Sequence, residues 1–145
     1  MNAFSSTKTP LWFWFIGVLA LVWNLAGLLA FGFHLMMTPE MLAQLPPEHA
    51  RLYTEAPEWL DVAFGIAVVG GFLASVMLLL RNIFAVMLFS LSLLGVLAQN
   101  SYSFFMSNTF DVLGPNAMIM PAVVVLLAAG LLVYSIAMKN QGWLR

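Results

Sequence analysis

The 145-residue chain is 63% hydrophobic and 8% charged, with a mean hydropathy of +0.97. An ordinary soluble domain carries about 25% charged residues, so a water-soluble fold of this size would lack the polar surface to cover its apolar interior. The net charge of −1 excludes the basic face that a nucleic-acid partner needs, and the absence of cysteine excludes disulfides, thiolate metal sites and cysteine nucleophiles.

A transmembrane helix needs about 20 mostly apolar residues, and four runs meet that requirement. The first, 11–36, follows a short polar start containing Lys8. It exceeds a signal-peptide core of roughly 7–15 residues and no small-x-small cleavage site follows it, so it is predicted to be a retained helix. Thr38-Pro39-Glu40 then reads as a helix start, with a capping hydroxyl, a proline where no N–H is needed and an acid near the positive helix end. Pro46-Pro47 interrupts, so residues 37–58 are predicted to form two short helices on the membrane surface.

The second run is 59–80 and the third 83–106. Arg81-Asn82 between them is so short that these helices must be antiparallel neighbours. Residues 108–116, with Gly114-Pro115, read as an irregular connection, and the fourth run is 121–138. No span has Lys, Arg, Asp or Glu at its centre. The long uniform runs differ from the short alternating segments of β-barrels. The predicted fold is an all-α membrane protein, a single domain of residues 1–145 with four transmembrane helices in an antiparallel bundle.

In this arrangement Lys8, Arg81, Lys139 and Arg145 fall on one side, whereas Glu40, Glu48, Glu55, Glu58, Asp61 and Asp111 fall on the other with Arg51. Basic residues in short loops stay cytoplasmic, so both termini are expected inside a bacterial inner membrane. Trp12, Trp14, Trp59 and Trp143 fall at expected interfaces.

Polar side chains in hydrocarbon are costly and each requires a reason. Asn24 lies near the middle of the first span and shares a face with Gly27, Phe31 and His34 at helical spacing. The third span turns polar in its outer part, at Gln99, Asn100, Ser101, Tyr102 and Ser103. Asp61 lies one turn into the second span. These positions can meet in an outward-opening polar pocket lined by Asn24, His34, Asp61, Gln99, Asn100 and Ser103, with Asp61 at its rim. The alternative is purely structural: intramembrane amides often only bridge helices, His34 can be an interfacial residue, and Asp61 a first-turn carboxylate favoured by the helix dipole.

Small residues recur along the second span at Ala63, Ala67, Gly71 and Ser75, with Gly70 beside them; this is a close-packing signal. Leu79 is expected to face lipid. No metal set is apparent, and a membrane haem is unsupported because only His34 lies on a span. Catalytic motifs are absent, so no cofactor is expected and an enzyme is the less favoured reading.

Trp23-Asn24, Pro57-Glu58-Trp59, Gly70-Gly71, Gln99 with Tyr102-Ser103-Phe104-Phe105, and Gly142-Trp143-Leu144 together resemble a family of small four-helix bacterial inner-membrane proteins, largely uncharacterised, some of which carry an automatic label of sugar transporter. The resemblance implies transport without supplying site residues. A looser similarity to DoxX-like four-helix proteins is one of architecture only.

Three functions remain open: a transporter or transport component for a small polar, sugar-like solute, as a homo-oligomer; a non-catalytic accessory protein docking a membrane partner through its Gly70-Gly71 face or outer loop; and a membrane enzyme acting on lipid or quinone. Partners common to all are the lipid bilayer and, for the first, a polar solute.

Overall fold

A computed structural model of the chain describes residues 8–145. Its helices are α1 (Leu11–Leu35), α2 (Pro39–Ala43), α3 (Pro47–Thr54), α4 (Glu58–Leu79), α5 (Phe84–Ser101), α6 (Thr109–Leu113) and α7 (Ile119–Asn140). Four helical stretches are long and apolar enough to cross a membrane: α1, α4, α5 with its continuation to Met106, and α7 with its lead-in from Pro115. They pack as an antiparallel bundle in which α1 lies on α4, α4 on α5 and α5 on α7. The described residues contain no β-strand.

The loop between α1 and α4 forms as its residues dictate. Thr38 caps α2 by accepting a hydrogen bond from the Met41 N–H at 3.3 Å, with Pro39 in the first turn. Pro46 precedes α3, which also begins on a proline. Residues 108–116 are more regular than expected. The α6 turn is entered through the Ser107 hydroxyl, which accepts from the Thr109 N–H at 3.2 Å. It ends at Gly114, whose φ of +92° suits glycine. A 3-10 turn at Pro115–Met118 then leads into α7. The fourth helix therefore starts earlier than the predicted 121, because Pro121 sits in its first turn, where no intrahelical N–H bond is lost.

The opposite end is tied by the tail. Arg81 ends α4 in the left-handed region, at φ +57°, a conformation that costs an L-residue roughly 1–2 kcal/mol. Hydrogen bonds hold it there: the Arg145 N–H donates to the Arg81 carbonyl at 2.8 Å and the Ile83 N–H to the Arg145 carbonyl at 2.9 Å. The Arg81 Nε–H donates to the Trp143 carbonyl at 2.8 Å. The Trp143 ring meets Trp12 edge-on at 5.4 Å and Phe13 at 6.2 Å, which brings the start of α1 to the same end. Lys8, Arg81, Lys139 and Arg145 thus share one end of the bundle.

The tight core, with Phe13, Ala74, Leu78, Phe89, Met138 and Leu144, lies in the half of the bundle nearest this basic end. Toward the other end all four spans line a cavity.

Candidate functional site: an intramembrane cavity

The small-residue stripe of α4 sets the depth of the cavity. Ala67, Gly71 and Ser75 are buried, and Gly70 is half-buried. A Cβ on Gly70 would stand 3.4 Å from the Ser92 backbone N of α5. One on Gly95 would fall 2.7 Å from the Ala63 carbonyl oxygen and 2.8 Å from the Ala67 N, so α5 approaches α4 through its own glycine. On the α1 side, a Cβ on Gly71 would overlap the Asn24 Oδ1, and one on Gly27 would meet Val68 at 3.3 Å. Gly71 is therefore inside the α1–α4 packing, and Gly70 lies against α5 while also bordering a shallow groove on the outside of α4. Leu79 is not a lipid-facing position: its side chain lies against Gly17 of α1.

Asn24 is anchored on this stripe. Its Nδ2 donates to the Ala20 carbonyl at 2.8 Å and to the Ser75 Oγ at 3.1 Å, and the Ser75 hydroxyl donates to the Gly71 carbonyl at 2.8 Å. Both amide hydrogens are thus used within the protein. Asn24 nevertheless borders a cavity of about 390 Å³, inside the usual small-ligand range of about 300–1,000 Å³.

All four spans contribute to the cavity wall. Trp23, Asn24, Gly27 and Ala30 come from α1, and Phe64, Ala67 and Val68 from α4. Phe89, Ser92, Val96, Gln99 and Asn100 come from α5, and Met120, Pro121, Val124, Ala128 and Leu131 from α7. Ser103 joins them from a π-helical turn at Tyr102–Met106, closed by a Ser107 N–H to Tyr102 carbonyl bond of 3.0 Å. Such a widened turn shifts the side chains that follow it, and π-turns recur at functional sites.

The polar groups differ in how far the protein satisfies them. The Ser92 hydroxyl donates to the Ala67 carbonyl at 2.6 Å, and the Asn100 Nδ2 to the Val96 carbonyl at 2.8 Å. The Gln99 amide has no side-chain hydrogen bond to any described residue, although it lines the cavity and is only partly exposed. The amide is accessible from the cavity and is left for whatever fills it.

The residues expected in one pocket are divided between two places. Asn24, Gln99, Asn100 and Ser103 line the cavity, whereas His34 and Asp61 do not. His34 Nε2 lies 2.7 Å from Asp61 Oδ1, linking the ends of α1 and α4 away from the basic end, and the Tyr53 ring of α3 stacks on the imidazole at 5.7 Å. Asp61 borders a shallow groove on the other face of α4, with Phe31, Gly65 and Leu88. It is therefore not the rim of the Asn24 cavity: its carboxylate is turned to His34 and to this groove.

Sequence reasoning did not single out Trp23, Ser92 or Gly95 as site or packing residues. The signal for the last two was available: Ser92, Gly95 and Gln99 recur at three- and four-residue spacing along α5, the same pattern read on α4. Among the described residues, no three His, Asp or Glu side chains come together as a metal set.

Fold and cavity together define an integral membrane protein of four spanning helices with a small interior chamber. No protein-family model matches the chain, and neither a curated protein nor a solved structure matches it.

Proposed function

We propose that the chain is a small-molecule-binding protein of the bacterial inner membrane, holding its ligand in the Asn24–Gln99 cavity, with carriage of that ligand as its role. The observation that carries this reading is the Gln99 amide, which borders a chamber of about 390 Å³ without a protein hydrogen bond. An interior kept only for stability would have packed that space and partnered that amide. A bound molecule with a hydroxyl or carbonyl would supply the missing partner.

The walls are mainly aromatic and aliphatic, with polar side chains gathered on α1 and α5. A sugar-like solute presents hydroxyls on every side, and those facing Phe64, Phe89, Val124 and Leu131 would go unpaired at a cost of roughly 1–3 kcal/mol each. The lining favours a ligand that is apolar over most of its surface. The family resemblance and its transport label fit carriage but do not name the cargo.

Lys8, Arg81, Lys139 and Arg145 at one end support an orientation with that end in the cytoplasm. The cavity then lies toward the outer face.

Native mass spectrometry of the protein released from mild detergent tests the binding reading. The parent should carry a small-molecule adduct that Val124→Trp, which fills the chamber, does not carry. The same adduct on both would overturn the assignment to this cavity.

A further inference from the structure

The bundle is unequally closed. The α1–α4, α4–α5 and α5–α7 pairs have close backbone packing, but α1 and α7 do not form a comparable seam. Their contact is made by side chains near the basic end, where Trp12 and Phe13 each meet Tyr134 at 6.3 Å. Further from that end both helices still line the cavity, and lining residues Ala26, Ala30 and Met120 are exposed there. The gap between α1 and α7 thus opens sideways, at a depth where both helices are apolar.

The cavity also has a polarity gradient along its length. Phe89 and Leu131 line it near the packed basic half, the latter three residues from Tyr134. Gln99, Asn100 and Ser103 lie on α5 beyond Ser92 in the other direction; seven residues from Ser92 to Gln99 amount to about 10 Å of helix. A molecule in the chamber meets hydrocarbon at its inner end, and at its outer end amides and hydroxyls on one wall facing Met120 and Pro121 on the other. That is the arrangement an amphiphile already has within one leaflet.

We infer that the ligand is a single-headed amphiphile of the bilayer, with a hydroxyl or carbonyl head and an apolar body, and that it enters from the lipid through the α1–α7 gap. Its head lies against Gln99 and its body against Phe89 and Val124. Lateral entry lets the body stay in hydrocarbon throughout, whereas entry from water would need the apolar chamber to fill from an aqueous phase. This inference rests on the binding reading above but adds the ligand class and the route.

Photolabelling of the full chain in phosphatidylcholine–phosphatidylglycerol vesicles separates the two. One probe is dodecanol carrying a mid-chain diazirine, which partitions into the bilayer; the other is a diazirine-bearing glucoside added from water. Adducts are mapped by mass spectrometry. The dodecanol probe should give saturable labelling of Val124 and Ala128, suppressed by excess dodecanol and not by glucose. Ala26→Trp, at the gap, should reduce this labelling at least about tenfold, while Leu126→Trp, on the lipid face of α7, should leave it unchanged. Gln99→Leu should weaken the saturable component roughly five- to tenfold, as loss of one hydrogen bond predicts. If the alcohol labels only outward residues such as Leu19 and the glucoside labels the chamber, the amphiphile and its route are wrong while the cavity remains a binding site. If neither probe labels a lining residue, the binding reading fails with it. Equal suppression by Ala26→Trp and Leu126→Trp would remove the lateral route alone.

Discussion

His34 and Asp61, 27 residues apart, meet at 2.7 Å and join α1 to α4 at the end of the bundle away from the basic residues. The pair is the last step of a register that begins deeper in the membrane, with Asn24 on Gly71 and Ser75, Gly27 on Val68, and Phe31 on Gly65 and Phe64. It shows that the face of α1 shared by Asn24 and His34 is a packing face along its whole length. Of this face, Asn24 and Gly27 also reach the cavity, whereas Phe31 and His34 do not. The two side chains of the pair are 30% and 50% exposed, so solvent screens their attraction. A double-mutant cycle with His34→Gln and Asp61→Asn should give a coupling energy below about 1 kcal/mol. Ligand binding should survive both changes, since neither residue touches the chamber. Loss of binding in Asp61→Asn would mean that the outer pair controls the cavity.

Glycine positions offer a sharper contrast in stability. At Gly71 even a methyl group would fall on the Asn24 amide, whereas a Cβ on Gly130 of α7 meets nothing within 4 Å. Gly71→Ala should lower the melting temperature in detergent by forcing α1 away from α4, at a cost of roughly 1–3 kcal/mol for overpacking. Gly130→Ala should be neutral or slightly stabilising, because alanine is the better helix former by about 1 kcal/mol. Equal melting temperatures would mean that the α1–α4 approach is looser than described.

The spans were legible in the sequence because each is a near-continuous apolar run, a signal that needs no knowledge of neighbours. The packing role of Ala67, Gly71 and Ser75 was legible for a similar reason, since spacing on one helix reveals a small-residue stripe. What could not be read was anything that depends on the register between two helices. Asp61 lies one turn from the end of α4 and looked like a cavity rim. Whether it turns toward α5 or toward His34 is decided by the rotation of α4, and a uniformly apolar helix gives little amphipathic signal to fix it. Leu79 was misread for the same cause, because a leucine in a membrane helix looks identical whether it meets lipid or Gly17. The unequal closure of the bundle was hidden too, as nothing in α1 or α7 alone says that they fail to pack.

The tail supplies another expectation. Leu144 is 4% exposed, and the Trp143 carbonyl and the Arg145 backbone hold Arg81 in its left-handed conformation. Removing residues 142–145 would expose the core surface under Leu144, worth roughly 1.5–3 kcal/mol, and would leave the Arg81 turn unsupported. Truncation should therefore lower the melting temperature clearly. Adding Arg81→Gly to the truncated chain should recover part of the loss, because glycine adopts positive φ without strain. No recovery would show that the tail acts through packing alone.

Asn24 is where stability and binding can be pulled apart. Its Nδ2 makes two hydrogen bonds, to Ala20 and Ser75. Measured interhelical hydrogen bonds in membranes average about 0.6 kcal/mol, so the Asn24–Ser75 bond contributes little on that scale. Asn24→Leu would leave no orphaned donor, because the Ser75 hydroxyl already donates to the Gly71 carbonyl at 2.8 Å. Leucine branches at Cγ as asparagine does but is tetrahedral there and bulkier, and its methyl groups would press on Gly71, where the Oδ1 already leaves no room for a Cβ. A small loss of stability, about 1 kcal/mol or less, is expected from these opposing effects. Binding should suffer more, because the Asn24 carboxamide borders the chamber and leucine would replace that polar part of its wall with methyl groups. Melting temperature and adduct occupancy by native mass spectrometry, measured on one preparation, should therefore separate: nearly full stability with most of the adduct lost. A variant that loses both in parallel would show that Asn24 serves the α1–α4 contact alone and gives the ligand nothing beyond what Gln99 supplies.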